Sequence, residues 1–298
     1  MQVYDKLWKG IIEDLFADFL RFFYPNAEEI FDFDKGFEFL DNELQQLFPE
    51  KGDDSRYVDK LVKVWLKDGT SRWILIHCEV QGYNDAAFKE RMFIYFYRIF
   101  DKFHVEISSL AIFSDPNPSF HPKKYQKQFM GTKLTFEFET YKILNQNPEV
   151  LATSENPFAI VILAVYHALK NRDKDDNKLL DIKLDLMRRL KNKNFPKEKI
   201  RKVFEFIKRY IRFADEKNNL IFEDKLETIF SSNVKNMGIE EIIIEDLKEE
   251  AFKKGDEKRL LAVIRNARLK GSNLEYIAEI VNLPVREVRR LLDNMGIE

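Results

Sequence analysis

At 298 residues, 45% hydrophobic and 14% aromatic with 27 Phe, the chain carries enough apolar surface for a packed core, which excludes wholesale disorder. A formal net charge of −2 excludes the bulk basicity of many nucleic-acid binders, and a single cysteine, Cys78, excludes an internal disulfide and a thiolate zinc cluster. No uncharged apolar run approaches the ~20 residues of a membrane-spanning helix, and the opening MQVYDKLWKG lacks the apolar core of a signal peptide, so the sequence reads as soluble and cytoplasmic.

From Tyr4 to Tyr24, apolar residues recur at helical spacing until Pro25 marks the stop. A second short helix is expected from Phe37 to Leu47, ending near Pro49 before the polar loop KGDDSR. Two alternating strands are expected next, Tyr57–Leu66 and Trp73–Gln81. Asp68-Gly69 between them is a hairpin signal, because both residues tolerate positive φ. Residues 85–103 read as a helix, Val105–Phe113 as a buried strand, and the proline-containing SDPNPSFHPKKYQKQFMG as a surface loop, with one more strand over Lys133–Tyr141.

Beyond about residue 150 the pattern turns helical. Pro157 opens an apolar helix, amphipathic segments follow at 177–191, 197–213 and 223–231, and an acidic patch at 240–250 leads into a charged helix from Asp256 to Lys270. The expected organisation is an α/β domain over 1–150, a helical region over 151–255, and C-terminal helices over 256–298. Charge is uneven across these parts. Residues 1–56 carry 14 acidic against 6 basic side chains, whereas 170–212 carry 16 basic against 7 acidic. The basic stretch fits a phosphate-tracking surface or an ordinary solvated helical face.

Chemistry concentrates on the strand W-I-L-I-H-C-E-V-Q. With period 2, Ile74, Ile76, Cys78 and Val80 share one face, and His77, Glu79 and Gln81 share the other. Counting outward from the Asp68-Gly69 turn brings Asp59, near the start of the first strand, close to Glu79 within one or two residues. Two carboxylates from adjacent strands suit Mg²⁺, with water and a phosphate completing an oxygen shell; the same face equally fits a strand that simply meets water. Neither a Gly-rich phosphate loop, a G-x-S-x-G elbow nor an H-E-x-x-H run is present.

The runs D-K-L-V-K-V, W-I-L-I-H-C-E-V-Q-G and F-K-E-R-M-F-I-Y-F-Y-R-I-F resemble the Rpn family of recombination-promoting nucleases, also described as PD-(D/E)XK nuclease family transposases. The resemblance is dense over 5–141 and weaker through N-P-F-A at 156–159. It implies an α/β fold with a restriction-endonuclease-like core, a mixed sheet flanked by helices. It also implies Mg²⁺-dependent (or Mn²⁺-dependent) endonuclease activity on DNA, a role in recombination or transposition in a bacterium, and a possible homodimer for cutting both strands. By the same resemblance Asp59 and Glu79 are the metal ligands, and Gln81 occupies the position where PD-(D/E)XK nucleases generally carry lysine. Glu13, with Asp14 as the alternative, matches the acid that the first helix often contributes.

A glutamine orients water or phosphate but does not neutralise charge, so slow or tightly conditional cleavage is expected. Arg91, Tyr95 and Arg98 share one side of the following helix. The arginines fit contacts to DNA phosphates or pairing with neighbouring carboxylates, and Tyr95 fits a structural role. At the C terminus, helices over 274–281 and 285–293 around Asn282–Pro284 read as a helix-turn-helix with Arg286, Arg289 and Arg290 on its second helix, or equally as a helical hairpin that only packs. The competing functional class is a non-cleaving DNA-binding or protein-interaction module that retains the nuclease fold.

Overall fold

The computed structural model describes residues 2–47, 58–79, 87–172, 175–231 and 257–294; at Asp59 and over 75–79 it describes the backbone alone. The loop KGDDSR, Gln81 and the acidic patch at 240–250 lie outside the described residues. The chain is a mixed α/β protein that divides into a unit over Met1–Phe222 and a second over Glu223–Glu298.

The expected first helix is two, α1 (Gln2–Asp14) and α2 (Phe16–Phe23), separated at Leu15, whose ψ of 30° leaves the helical range. After the short α3 (Ala27–Ile30), residues Phe37–Phe39 form strand β1. The helix expected over Phe37–Leu47 thus begins only at Asp41, as α4 (Asp41–Leu47). The reason is a tertiary one: Phe37 and Phe39 pair with Val64 and Val62, so the F-E-F alternation completes a sheet edge.

Strands β2 (Val58–Trp65) and β3 (Ser71–Glu79) form the expected hairpin. Gly69 takes φ +86°, and the Asp68 carboxylate accepts from the Thr70 amide at 2.8 Å and its hydroxyl at 2.5 Å. Helix α5 (Phe88–Phe103) crosses to β4 (Ile107–Phe113), which runs parallel to β3. The segment read as a surface loop holds a strand, β5 (Lys124–Phe129), paired with β6 (Thr132–Glu137) as a separate two-stranded sheet. The expected strand over Lys133–Tyr141 is split, because β7 (Glu139–Lys142) joins β4 in parallel instead. The main sheet therefore has the order β1-β2-β3-β4-β7.

One face of this sheet packs on α5 through Leu61, Trp73, Tyr95 and Ile99. The other meets α2: Phe16 lies 4.7 and 5.4 Å from Phe37 and Phe39, and Phe23 lies 5.0 Å from Tyr141. Behind α2 sits α7 (Pro157–Lys170), preceded by α6 (Pro148–Thr153). The α7 residues from Pro157 to Val165 are all buried, and Phe158 packs 5.2 Å from Phe19. A helix apolar all round belongs between layers. Its outer cover is α8 (Asp176–Asn192) and α9 (Lys197–Tyr210), and α1 joins α9 through Trp8 and Phe206 at 5.8 Å. Helix α10 (Lys217–Ser231) runs across the boundary of the two units.

The second unit contains α11 (Glu257–Leu269), α12 (Leu274–Val281) and α13 (Val285–Asn294), closed around Ile264, Ile277, Val281, Val288 and Leu292. The turn at Asn282 is left-handed, with φ 50°. Among the described residues no helix is long and apolar enough to cross a membrane.

Candidate metal centre

The β2–β3 register fixes what the hairpin brings together. Asp59 stands opposite His77, and Val58 opposite Cys78, so Glu79 lies two residues beyond the partner of Asp59. Strand alternation gives positions 59, 77 and 79 the same parity as Leu61 and Trp73, hence the face that packs on α5. Diagonal neighbours across an antiparallel pair stand ~7–8 Å apart. That separation fits two carboxylates converging on one hard cation at ~2.0–2.6 Å from each oxygen. Among the described residues no group of three or more His, Cys, Asp or Glu side chains is gathered for a metal ion.

The two first-helix acids are both engaged elsewhere. Asp14 pairs with Lys202 of α9 at 3.1 Å. Glu13 pairs with Lys60, which also pairs with Asp41; the Lys60 side chain is 2% exposed, and its two partners are near 40%. Lys60 has the parity opposite to Asp59, so Glu13 meets β2 from the other face of the sheet. Two acids around one buried ammonium lock α1, α4 and the start of β2 together.

On α5, Tyr95 is 2% exposed within the Leu61–Trp73 cluster, in keeping with a structural part. Arg98 donates to the Leu47 carbonyl at 3.0 Å and so closes the end of α4, while Arg91 lies with its guanidinium carbon 5.6 Å from the Phe88 ring centre.

Next to this end of β3 is a feature the sequence reading missed. Glu79 aligns with Phe113 of β4, and Phe113 with Lys142 of β7. Lys142 donates to the Asp115 carboxylate at 2.6 Å and to its carbonyl at 3.1 Å, and both side chains are fully buried. Burial pulls the Lys142 pKa down, and Asp115 opposes that pull. His121 shares the region, 2.9 Å from the Thr140 hydroxyl and 5.5 Å from Phe113. Its pKa is lowered, first by desolvation and then by Lys123 and Lys142. The pairing spans 27 residues and depends on two parallel strands ending level, so no local pattern announces it.

No family model matches the chain, and no curated protein or solved structure matches it.

Proposed function

We propose that this chain is a metal-dependent DNA endonuclease of the PD-(D/E)XK type, related to the Rpn nucleases, with Asp59 and Glu79 holding Mg²⁺ or Mn²⁺. The observation that carries the reading is the β2–β3 register, which sets an aspartate and a glutamate one diagonal apart on a single sheet face. A five-stranded mixed sheet with helices on both faces agrees with the core that the resemblance implies. A bound divalent ion supplies a Lewis acid for the scissile phosphate and lowers the pKa of a coordinated water.

The chain's own residues supply the rest. The Asp59 and Glu79 carboxylates fix the ion against the sheet, and the Gln81 amide orients the attacking water without neutralising charge. Glu13 assists from across β2 by holding Lys60, the chain neighbour of Asp59. Arg91 is the α5 cation assigned to a DNA phosphate; Arg98 serves there too while it closes α4. Cutting both strands of a duplex uses paired sites in a homodimer, and the biological setting is recombination or transposition.

The test is supercoiled-plasmid cleavage by wild type, Asp59→Ala and Glu79→Ala with Mg²⁺, Mn²⁺ or EDTA. Metal-dependent nicking that is lost at least 100-fold in both variants is expected. Cleavage that persists in both overturns the site, and DNA retention in a gel shift without cleavage leaves a binding module in place of the enzyme.

A further inference from the structure

The β5–β6 hairpin is a sheet of its own, separate from the five-stranded core. Its base is fixed: Tyr125 stacks 5.4 Å from Phe93, and Phe136 lies 4.9 Å from Phe96, both on α5. Beyond that contact the ribbon projects. Phe129 and Met130 at its end are 71% and 84% exposed, the two highest values among the exposed large hydrophobics of the described residues.

The turn itself argues against a purely structural role. Phe129 pairs with Thr132, which leaves Met130-Gly131 as a two-residue turn with Met130 at φ +48°. Turns of that kind favour Asn, Asp or Gly at positive φ, and a long apolar side chain is disfavoured there. Solvent exposure gives Met130 no folding benefit to offset that choice. Charge adds an independent observation: from Lys123 to Glu137 the hairpin carries four lysines, at 123, 124, 127 and 133, against the single acid Glu137. All four lysines are exposed. The hairpin is thus locally basic in a chain whose net charge is −2.

We propose that the hairpin is a DNA-binding arm that enters the minor groove of a duplex, with its lysines on the flanking phosphates and Phe129 and Met130 wedged at a base step. It rests on the nuclease reading only in choosing DNA as the polyanion. Two-stranded ribbons are established groove readers, and Phe and Met are among the apolar wedges that unstack a step. The minor groove, ~6 Å wide at rest, admits such a ribbon because the wedge that unstacks a step also opens it. A membrane fits less well. Two apolar side chains bury less than one acyl chain, which by itself gives only marginal, reversible binding. The arm also presents Gln126, Gln128 and Thr135, hydrogen-bonding groups suited to sugars and base edges.

The geometry separates the arm from the chemistry. Phe138 at its base packs 5.9 Å from Phe88 at the start of α5, whereas Tyr125 and Phe136 meet the helix one to two turns further along. The tip therefore leads away from the end of β3, and its loss weakens binding rather than the cleavage step.

The experiment measures binding of the full chain to a fluorescein-labelled 30-base-pair duplex in EDTA, across a salt series, with 2-aminopurine reporting unstacking in a second duplex. Phe129→Ser/Met130→Ser is expected to lower affinity at least tenfold and abolish the 2-aminopurine brightening, with the salt slope kept. Lys127→Gln/Lys133→Gln is expected to reduce the slope of log K against log salt by ~1.8, the value for two phosphate contacts. All four positions are exposed, so circular dichroism of the variants should match wild type. Wild-type affinity and slope in both variants overturn the proposal. So does a tip variant that loses only binding to phosphatidylserine vesicles, or one that only shifts a dimer to monomer in sedimentation. Because no metal is present, tip-dependent binding by a protein that never cleaves DNA sinks the nuclease reading alone, and cleavage with undiminished tip-variant affinity sinks the arm alone.

Discussion

Lys142 at the end of β7 and Lys183 in the middle of α8 are both buried, yet the sheet and the helical layer accommodate them differently. Lys142 meets a carboxylate, Asp115, which is itself fully buried. Lys183 donates to the carbonyls of Lys208 and Ile211, both at 2.9 Å, and lies 4.4 and 4.7 Å from the ring centres of Phe222 and Phe213. In the helical layer the ammonium closes the C-terminal turn of α9, where free carbonyls favour a cation. In the sheet it neutralises a charge that folding has already taken out of water. One region uses lysine as a cap, the other as a counter-ion.

The comparison breaks most easily at Lys142. Lys142→Met strands the Asp115 carboxylate and should cost about 3–5 kcal/mol in urea unfolding. Removing both charges in Lys142→Met/Asp115→Leu should recover much of that loss, and a single variant losing under about 1 kcal/mol would show that water reaches the pair.

Lys183→Met leaves the neutral carbonyls of Lys208 and Ile211 wanting and keeps an apolar stem against Phe213 and Phe222. A smaller loss, about 1–3 kcal/mol, is expected. Equal losses at the two sites would erase the distinction between cap and counter-ion.

The smallest effect concerns protons. The His121 pKa is held below its ordinary 6.5, chiefly by desolvation, with Lys123 and Lys142 adding to it. The unfolded chain then takes up its proton first as pH falls, so stability is lost from about 6.5 down through the folded value. His121→Asn should flatten that part of the urea-midpoint profile. Imidazole NMR should find the His121 titration moved up in Lys142→Met and unmoved in Lys183→Met.

Much of the region around the candidate centre was legible because it is local. Asp68-Gly69 fixes a tight turn, and a tight turn fixes both register and parity outward to Asp59 and Glu79. The count was loose by two residues, since Asp59 faces His77 rather than Glu79. What stayed hidden depends on partners far along the chain. Phe37-Glu38-Phe39 is too short to declare itself a strand without Val62 and Val64 beside it. The segment Lys124–Phe129 has little apolar alternation and follows three prolines, so it reads as loop until Phe93 receives Tyr125. Glu13 was recognisable as an acid on the first helix, but only the packing of α1 commits it to Lys60.

Phe138 is the single residue between β6 and β7, buried among Phe88, Phe113 and Phe120, with its amide bonded to the Lys123 carbonyl at 3.2 Å. The projecting ribbon and the strand that carries Lys142 are thus coupled in series through one anchored joint. A lateral load on the ribbon is shared between that joint and the Tyr125 and Phe136 rings seated on α5, while β7 stays clamped by its ladder to β4. The ribbon is a cantilever, seated along α5 and at Phe138, with only its tip unsupported.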